Sequence, residues 1–315
     1  VFVPSRQGRD LALRCGVRES AIEMYGLPLR RAFWKPERRP LEAMRQQLGL
    51  EPEACTVLVV GGGDGVGRIL QVAQAISFEL AEIAKKDNSI TQLVVICGKN
   101  EKVKQQLSDQ RWPPGLQTHF LGFVPNMDEW MAVSDIIVTK AGPGTIAEAC
   151  TRHLPVMLSS YLPGQEAGNV SFVVDGGFGE YSNDPQVIAK TIAGWLRDPQ
   201  ELERRSKLSK AHGRGKATLQ IAKVIGQRWL VAEAGELASA LVKAMKESAA
   251  KAARGAEEGC AVDLDGQEEA DCRADLQAAL NTLTEAQRSL DEATAALSDA
   301  KIKVRDTLAN TMTES

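Results

Sequence analysis

From about residue 20 to residue 195, short apolar runs alternate with stretches of helical periodicity. Runs at 56–60, 93–97, 119–123, 135–139, 155–158 and 172–174 read as strands. Between and after them, helices are expected near 65–86, 101–108, 127–132, 144–152, 166–171 and 185–197. The first helix is the clearest. Ile69, Val72, Ile76, Leu80 and Ile83 recur every three or four residues, while Glu79, Glu82, Lys85 and Lys86 take the other faces. Apolar strands a few residues long, separated by helices, predict an α/β fold: a parallel sheet with helices on both faces. Ligands of such sheets sit beyond the carboxyl ends of the strands. The segments 61–67, Gly98, 123–125 and 140–144 all fall at those ends, so four candidate loops converge on one edge.

The flanks follow other patterns. Residues 1–38 read as the end of a preceding domain and a connection, since Tyr25-Gly-Leu-Pro-Leu-Arg-Arg and Phe33-Trp-Lys-Pro interrupt regular structure. Residues 39–215 form the main domain, and 216–231 an amphipathic helix carrying Leu219, Ile221, Val224, Ile225 and Trp229. Residues 232–315 read as a helical tail with an acidic, Gly-containing linker at 257–272. In 274–312, Leu276, Leu283, Leu290, Leu297 and Val304 repeat every seven residues, with Ala279, Ala286, Ala293 and Ala300 as companions. That heptad suits a helix pair, within the chain or between copies, and equally a single long surface helix. The chain opens on Val1 and reads at once as domain interior, with neither a signal nor a transit peptide recognised there.

Composition narrows the function classes. At 315 residues and 43% hydrophobic content, the chain has material for a substantial core. A net charge of −3 gives no basic field for nucleic acid, and Arg30, Arg31, Lys35, Arg38 and Arg39 read as a solvated surface. The 6 cysteines lack CxxC spacing and the 3 histidines (His119, His153, His212) lie far apart. A reduced compartment without a zinc site or a bound metal is therefore expected. No run approaches the length of a membrane span.

The chemistry concentrates at Lys140-Ala-Gly-Pro-Gly-Thr-Ile-Ala-Glu-Ala and at Gly164-Gln-Glu-Ala-Gly-Asn. A glycine turn opening a helix offers free N–H groups and a positive dipole end to an anion. Glu148, one turn in, supplies a carboxylate for sugar hydroxyls, and Gln165, Glu166 and Asn169 are suited to reading a hexose. The glycine loop Gly61-Gly-Gly-Asp-Gly-Val-Gly fits neither familiar fingerprint. A P-loop needs Lys and a hydroxyl where Arg68 and Ile69 stand, and no register gives the dinucleotide GxGxxG with an acid after the next strand. It remains either a phosphate cradle or a turn that only packs helix on strand.

Together, 61–67, Val95-Ile-Cys-Gly-Lys-Asn, Gly122-Phe-Val, 139–149 and 164–169 resemble the plant and algal monogalactosyldiacylglycerol synthases in order and spacing, over about residues 1–230. More distantly the chain is similar to MurG, the bacterial transferase that makes lipid II. The resemblance implies a GT-B architecture, two Rossmann-like domains across a cleft, with most of this chain as the C-terminal, nucleotide-sugar-binding one. It implies inverting, metal-independent and cofactor-free transfer of galactose from UDP-galactose to 1,2-diacylglycerol. It further implies the chloroplast envelope as the place; peripheral contact with the membrane and its anionic lipids, and no nucleic-acid partner, are expected. Self-association through 274–312 is a further expectation.

By motif, Glu148 holds the ribose hydroxyls, Gln165 and Glu166 face the galactose, and Asn169 fixes their turn. The backbone of Phe123 and Val124 borders the uracil. The N–H groups of Gly142, Gly144 and Thr145, with Pro143 between them, and of Gly62, Gly63, Asp64 and Gly65 meet the diphosphate, with Lys140 as added charge. Lys140 reads equally as solvated, Phe123 as core and Asn169 as a plain turn cap. The family's catalytic base lies in a Gly-rich loop with a His in the other domain, so none is assigned here. A UDP-glucose or UDP-GlcNAc lipid transferase and a non-catalytic UDP-sugar-binding scaffold remain alternatives.

Overall fold

The computed structural model describes residues 1–34, 39–61 and 68–228, and the single positions Lys243, Glu247, Asn281, Thr284, Arg288, Glu292, Ala295 and Asp299. The chain divides into two compact units, Val1–Ile221 and Ala222–Ser315. The expected linker at 257–272, the heptad leucines and Gly62, Gly63, Asp64 and Gly65 lie outside the described residues. In the second unit, residues 222–228 are helical, and Lys243–Glu247 and Arg288–Glu292 are exposed i,i+4 ion pairs at 3.9 and 3.6 Å.

The first unit is built on a six-stranded sheet. Its strands are β3 (Cys55–Val60), β4 (Thr91–Ile96), β5 (Leu116–Leu121), β6 (Ile136–Lys140), β7 (Val156–Ser160) and β8 (Gly179–Tyr181). The order is β5-β4-β3-β6-β7-β8 and every pairing is parallel. Neighbouring strands therefore run out in opposite directions from β3 and β6, which makes the gap between their carboxyl ends the topological switch point. Strands buried on both faces need apolar residues throughout. All six residues of β4 are buried and so are five of the six in β3.

Alternation divides the core. Val57, Val59, Leu93, Val95, Ile136 and Val138 face α4 (Ile69–Asp87) and α9 (Pro185–Arg197). Leu58, Val60, Val94, Ile96, Ile137, Val156 and Leu158 face the other layer, with α6 (Met127–Ala132), α7 (Pro143–Thr151) and α8 (Ala167–Asp175). All five apolar positions expected on the first helix are buried. Each such side chain contributes roughly 1.5–3 kcal/mol of burial.

Residues 172–174, expected as a strand, lie inside α8. Phe172-Val-Val is the apolar end of that helix, and the sixth strand comes later, at Gly179. A Cβ on Gly179 would stand 2.0 Å from the Val156 carbonyl oxygen, so only glycine lets β8 close on β7. Ahead of the sheet, β1 (Phe2–Val3) and β2 (Glu23–Met24) pair in parallel around α1 (Arg6–Arg14). The connection continues through α2 (Arg31–Trp34) and α3 (Leu41–Gln47), and α10 (Pro199–His212) and a helix over 217–228 follow the sheet.

The connection is held from the C-terminal side of the same unit. Thr218 Oγ1 accepts from the Leu29 N–H (2.8 Å) and donates to the Leu29 carbonyl (2.9 Å). Gly26, at φ +103, lies against Arg214, where a Cβ would come within 2.5 Å of the Arg214 Cβ.

Candidate functional site

The loop between β6 and α7 occupies the switch point. A register shift between Thr139 and Lys140 ends β6, the device by which a sheet edge re-aims a side chain. Ala141 N–H then bonds Ser160 O at 2.8 Å, and Gly142 caps α7 with its carbonyl taken by the Ile146 N–H at 3.1 Å. Pro143 is the first helical residue, where its missing N–H costs nothing. The N–H groups of Gly144 and Thr145 are the first-turn donors without an intrahelical partner, and Gly144 is exposed. The helix tip thus presents free donors and the positive end of its dipole, held on a rigid strand.

Helix α7 carries two different faces from that tip. Pro143, Ile146, Ala147 and Cys150, at i, i+3, i+4 and i+7, line a cavity of about 440 Å³. The cavity is closed from the other side by α1 and the connection, including Leu11, Leu27 and Leu29, and by Gln165 and Asn169 beside α8. Glu148 falls on the opposite face of α7. Its carboxylate is mostly buried, with 18% of the side chain exposed, and its partner is Arg30, Nη2 to Oε1 at 3.4 Å. Burial pushes the Glu148 carboxyl above the usual range. Arg30 pulls it back, and Asp128 pushes it further up.

The second motif is a brace as well as a surface. Glu166 is buried at 6%, and both its oxygens are engaged: Lys140 Nζ at 2.5 Å and the Leu162 N–H at 2.9 Å. Lys140 is thereby ion-paired within the protein, next to Gly142, with 30% of its side chain still exposed. Asn169 Nδ2 donates to Ala141 O at 2.8 Å and ties α8 to the β6–α7 turn, a longer reach than a local cap. Gln165 is exposed and lines the cavity. Phe123 follows β5 and is 67% exposed, not core, whereas Val124 packs against the core.

Sequence reasoning missed the residues that approach from far along the chain. Arg30 is 118 positions from Glu148, and Gln7, Leu11 and Leu27 reach the cavity from the N-terminal segment. No periodicity links such positions. The histidines are dispersed: His119 on edge strand β5, His153 just past α7, and His212 at the end of α10, where it lines the cavity and donates from Nδ1 to Leu208 O at 2.9 Å. Burial holds His119 below the ordinary histidine range. Among the described residues no cluster of three or more His, Cys, Asp or Glu is placed to hold a metal, and no helix is long and apolar enough to cross a membrane.

A six-stranded parallel sheet in this order, wrapped by helices and with a glycine turn opening a helix at its switch point, is the Rossmann-like half of a GT-B fold. The glycosyltransferase family 28 C-terminal domain matches residues 56–221, and the chain belongs to that family. It is 40% identical over 195 residues to the probable monogalactosyldiacylglycerol synthase 2, chloroplastic, of Oryza sativa subsp. japonica, covering 62% of this chain and 41% of that protein. It is 40% identical over 221 residues to the chloroplastic monogalactosyldiacylglycerol synthase of Spinacia oleracea, covering 70% and 42%. The chain thus spans less than half the length of these curated relatives. In fold it is similar to the crystal structure of WaaG, a glycosyltransferase involved in lipopolysaccharide biosynthesis, with a TM-score of 0.50, 13% identity, and 71% and 62% of the two chains covered.

Proposed function

We propose that this chain is the donor-binding part of an enzyme that moves galactose from UDP-galactose to 1,2-diacylglycerol, making a galactolipid at the chloroplast envelope. One observation carries the reading: the N-terminus of α7 lies between a ribose-type carboxylate, Glu148, on one face and a largely apolar cavity, edged by Gln165 and Asn169, on the other. A nucleotide sugar laid across that tip has its uridine toward Glu148 and Phe123, its diphosphate on the Gly144 and Thr145 N–H groups, and its hexose toward Gln165. The relatives' names support galactolipid synthesis and the chloroplast, and the cavity supports an acceptor with an apolar body.

The chemistry follows from charge. As the sugar–oxygen bond to the diphosphate lengthens, negative charge grows on UDP at the helix tip. Fixed N–H dipoles aimed there stabilise it without reorganisation, typically by a few kcal/mol per donor. This mechanism uses no catalytic metal. Activation of the acceptor hydroxyl is assigned to no described residue.

Calorimetric titration of the chain with UDP, UDP-galactose, UDP-glucose and UDP-GlcNAc tests the reading. Binding of UDP, with UDP-galactose tightest of the three sugars, is the expected result. Preference for another hexose moves the donor assignment, and absence of UDP binding overturns the reading in favour of a scaffold.

A further inference from the structure

We infer that Arg30 is a positioning residue of the nucleotide site, holding the Glu148 carboxylate ionised and aimed at the place where the ribose hydroxyls arrive. The inference rests on the donor reading above and deepens it.

Arg30 is set by its neighbours. Leu29, just before it, has both its N–H and its carbonyl held by Thr218, and the carbonyl also accepts from Trp34 Nε1 at 3.2 Å. Phe33, three residues on, is buried at 2% beneath two guanidinium groups, those of Arg30 and Arg152, at 5.4 and 5.6 Å from its ring centroid. The backbone on both sides is anchored, and the Phe33 ring supports the guanidinium face. A side chain that is 56% exposed therefore still delivers its charge to one carboxylate.

Charges from each element around Glu148 sort into two pairs. Asp128 comes from α6 and pairs with Arg152, beyond the end of α7, at 3.2 Å. Arg30 comes from the connection and pairs with Glu148. Arg152 is thus committed to Asp128, and Arg30 is the cation that offsets both the burial of Glu148 and the repulsion from Asp128. The sign is definite. Glu148 titrates above the ordinary carboxylate range because of burial, Arg30 lowers that value, and removing Arg30 moves it further up. An ionised carboxylate offers two charged acceptor oxygens to a ribose diol, while a protonated one must donate through one of them.

A brace that only tied the connection to α7 would leave the pH dependence of UDP affinity unchanged even as the Glu148 midpoint moved, so titration and affinity read together separate the two roles. The Glu148 carboxyl carbon is followed by NMR between about pH 4 and pH 8 in the wild-type chain, Arg30→Gln and Arg30→Lys, with UDP affinity measured by calorimetry over the same range. Arg30→Gln is expected to move the Glu148 midpoint to higher pH and to weaken UDP about tenfold near the acid end. Arg30→Lys, which keeps the charge, is expected to restore most of the midpoint. An unmoved midpoint in Arg30→Gln, or a moved midpoint with the wild-type pH dependence of UDP affinity, overturns the assignment of Arg30. Failure of the wild-type chain to bind UDP, or a Glu148→Gln variant that binds it as well as wild type, overturns the donor reading instead.

Discussion

The two edges of the same sheet use their polar groups in opposite ways. At the amino edge, Arg45 is 8% exposed and all three of its guanidinium nitrogens are engaged: Nε and Nη2 donate to Val133 O, Nη1 donates to Pro52 O, and Asp135 lies at 3.5 Å. Asp135 also accepts from the Thr56 N–H at 2.8 Å, and Gln92 joins Glu51 to Thr56. At the carboxyl edge, two first-turn N–H groups lack intrahelical partners, Glu148 pairs with Arg30 at 3.4 Å, and Phe123 and Gln165 are exposed. One edge closes the fold. The other is rigid underneath, through Asn169 and Glu166, and open on top, which is the arrangement a binding site needs.

If that division holds, Arg45→Ala should give the largest stability effect. It strips buried carbonyls of their donor and leaves Asp135 without its cation, a change that typically costs about 3–5 kcal/mol. Urea unfolding should show a midpoint shift of that order, while UDP affinity of the remaining folded protein stays at wild-type level. A matching loss of affinity would mean that the two edges are not independent.

Glu148→Gln should do the reverse. Losing a charged acceptor for two hydroxyls is worth about 1.5–3 kcal/mol, or roughly ten- to a hundredfold in UDP affinity. Wild-type affinity should fall as pH drops through the raised Glu148 midpoint, and the variant should be flat across that range. Stability should not suffer. A carboxyl whose folded-state pKa is raised destabilises the fold when ionised above that value, and the amide carries no such charge. Thermal unfolding near neutral pH should therefore give an unchanged or higher Tm.

The sequence disclosed the carboxyl edge better than the amino edge, for a physical reason. Glycine turns leading into helices are local, so 140–149 and 164–169 could be placed beyond the carboxyl ends of strands without knowing any contact. Most of the strands were equally legible, because burial on both faces favours apolar runs such as 93–96 within β4. What failed was length-scale. Phe172-Val-Val looks like a strand until Gly176 and Gly177 are seen to follow the end of α8 and Gly179 to start β8. Helix α10 has few apolar residues and was missed, although Asp198, whose carboxylate accepts from the Gln200 and Glu201 N–H groups, followed by Pro199, is a local start signal. Arg45–Asp135 and Arg30–Glu148 pair across long separations that no spacing rule reports.

A smaller effect belongs to the brace beneath the second motif. Glu166→Gln keeps an acceptor for the Leu162 N–H and removes the charge facing Lys140. The loop that presents Gln165 should loosen, and Lys140 should become an unpaired cation beside Gly142. UDP affinity should hold or rise slightly, while the advantage of UDP-galactose over UDP should fall about fivefold, the equivalent of roughly 1 kcal/mol. Calorimetry with the two ligands reads both numbers. A parallel loss for UDP and UDP-galactose would assign Glu166 to the diphosphate end instead.

Phe123→Ala should give the smallest change and isolates the outer rim of the open edge. The ring is 67% exposed, so its removal leaves no cavity and exposes no buried surface. Stability should stay within about 0.5 kcal/mol of wild type, as for surface positions generally. If the ring borders the base, an aromatic contact worth about 0.5–1.5 kcal/mol is lost on binding, a two- to tenfold weakening of UDP. The loss should appear with uridine alone and vanish for inorganic diphosphate, which cannot reach the ring. Phe33 provides the internal contrast: it is buried at 2% under the connection, and its truncation should cost about 3–5 kcal/mol of stability. A Phe123→Ala variant that lost stability instead of uridine affinity would put that ring among the closing residues.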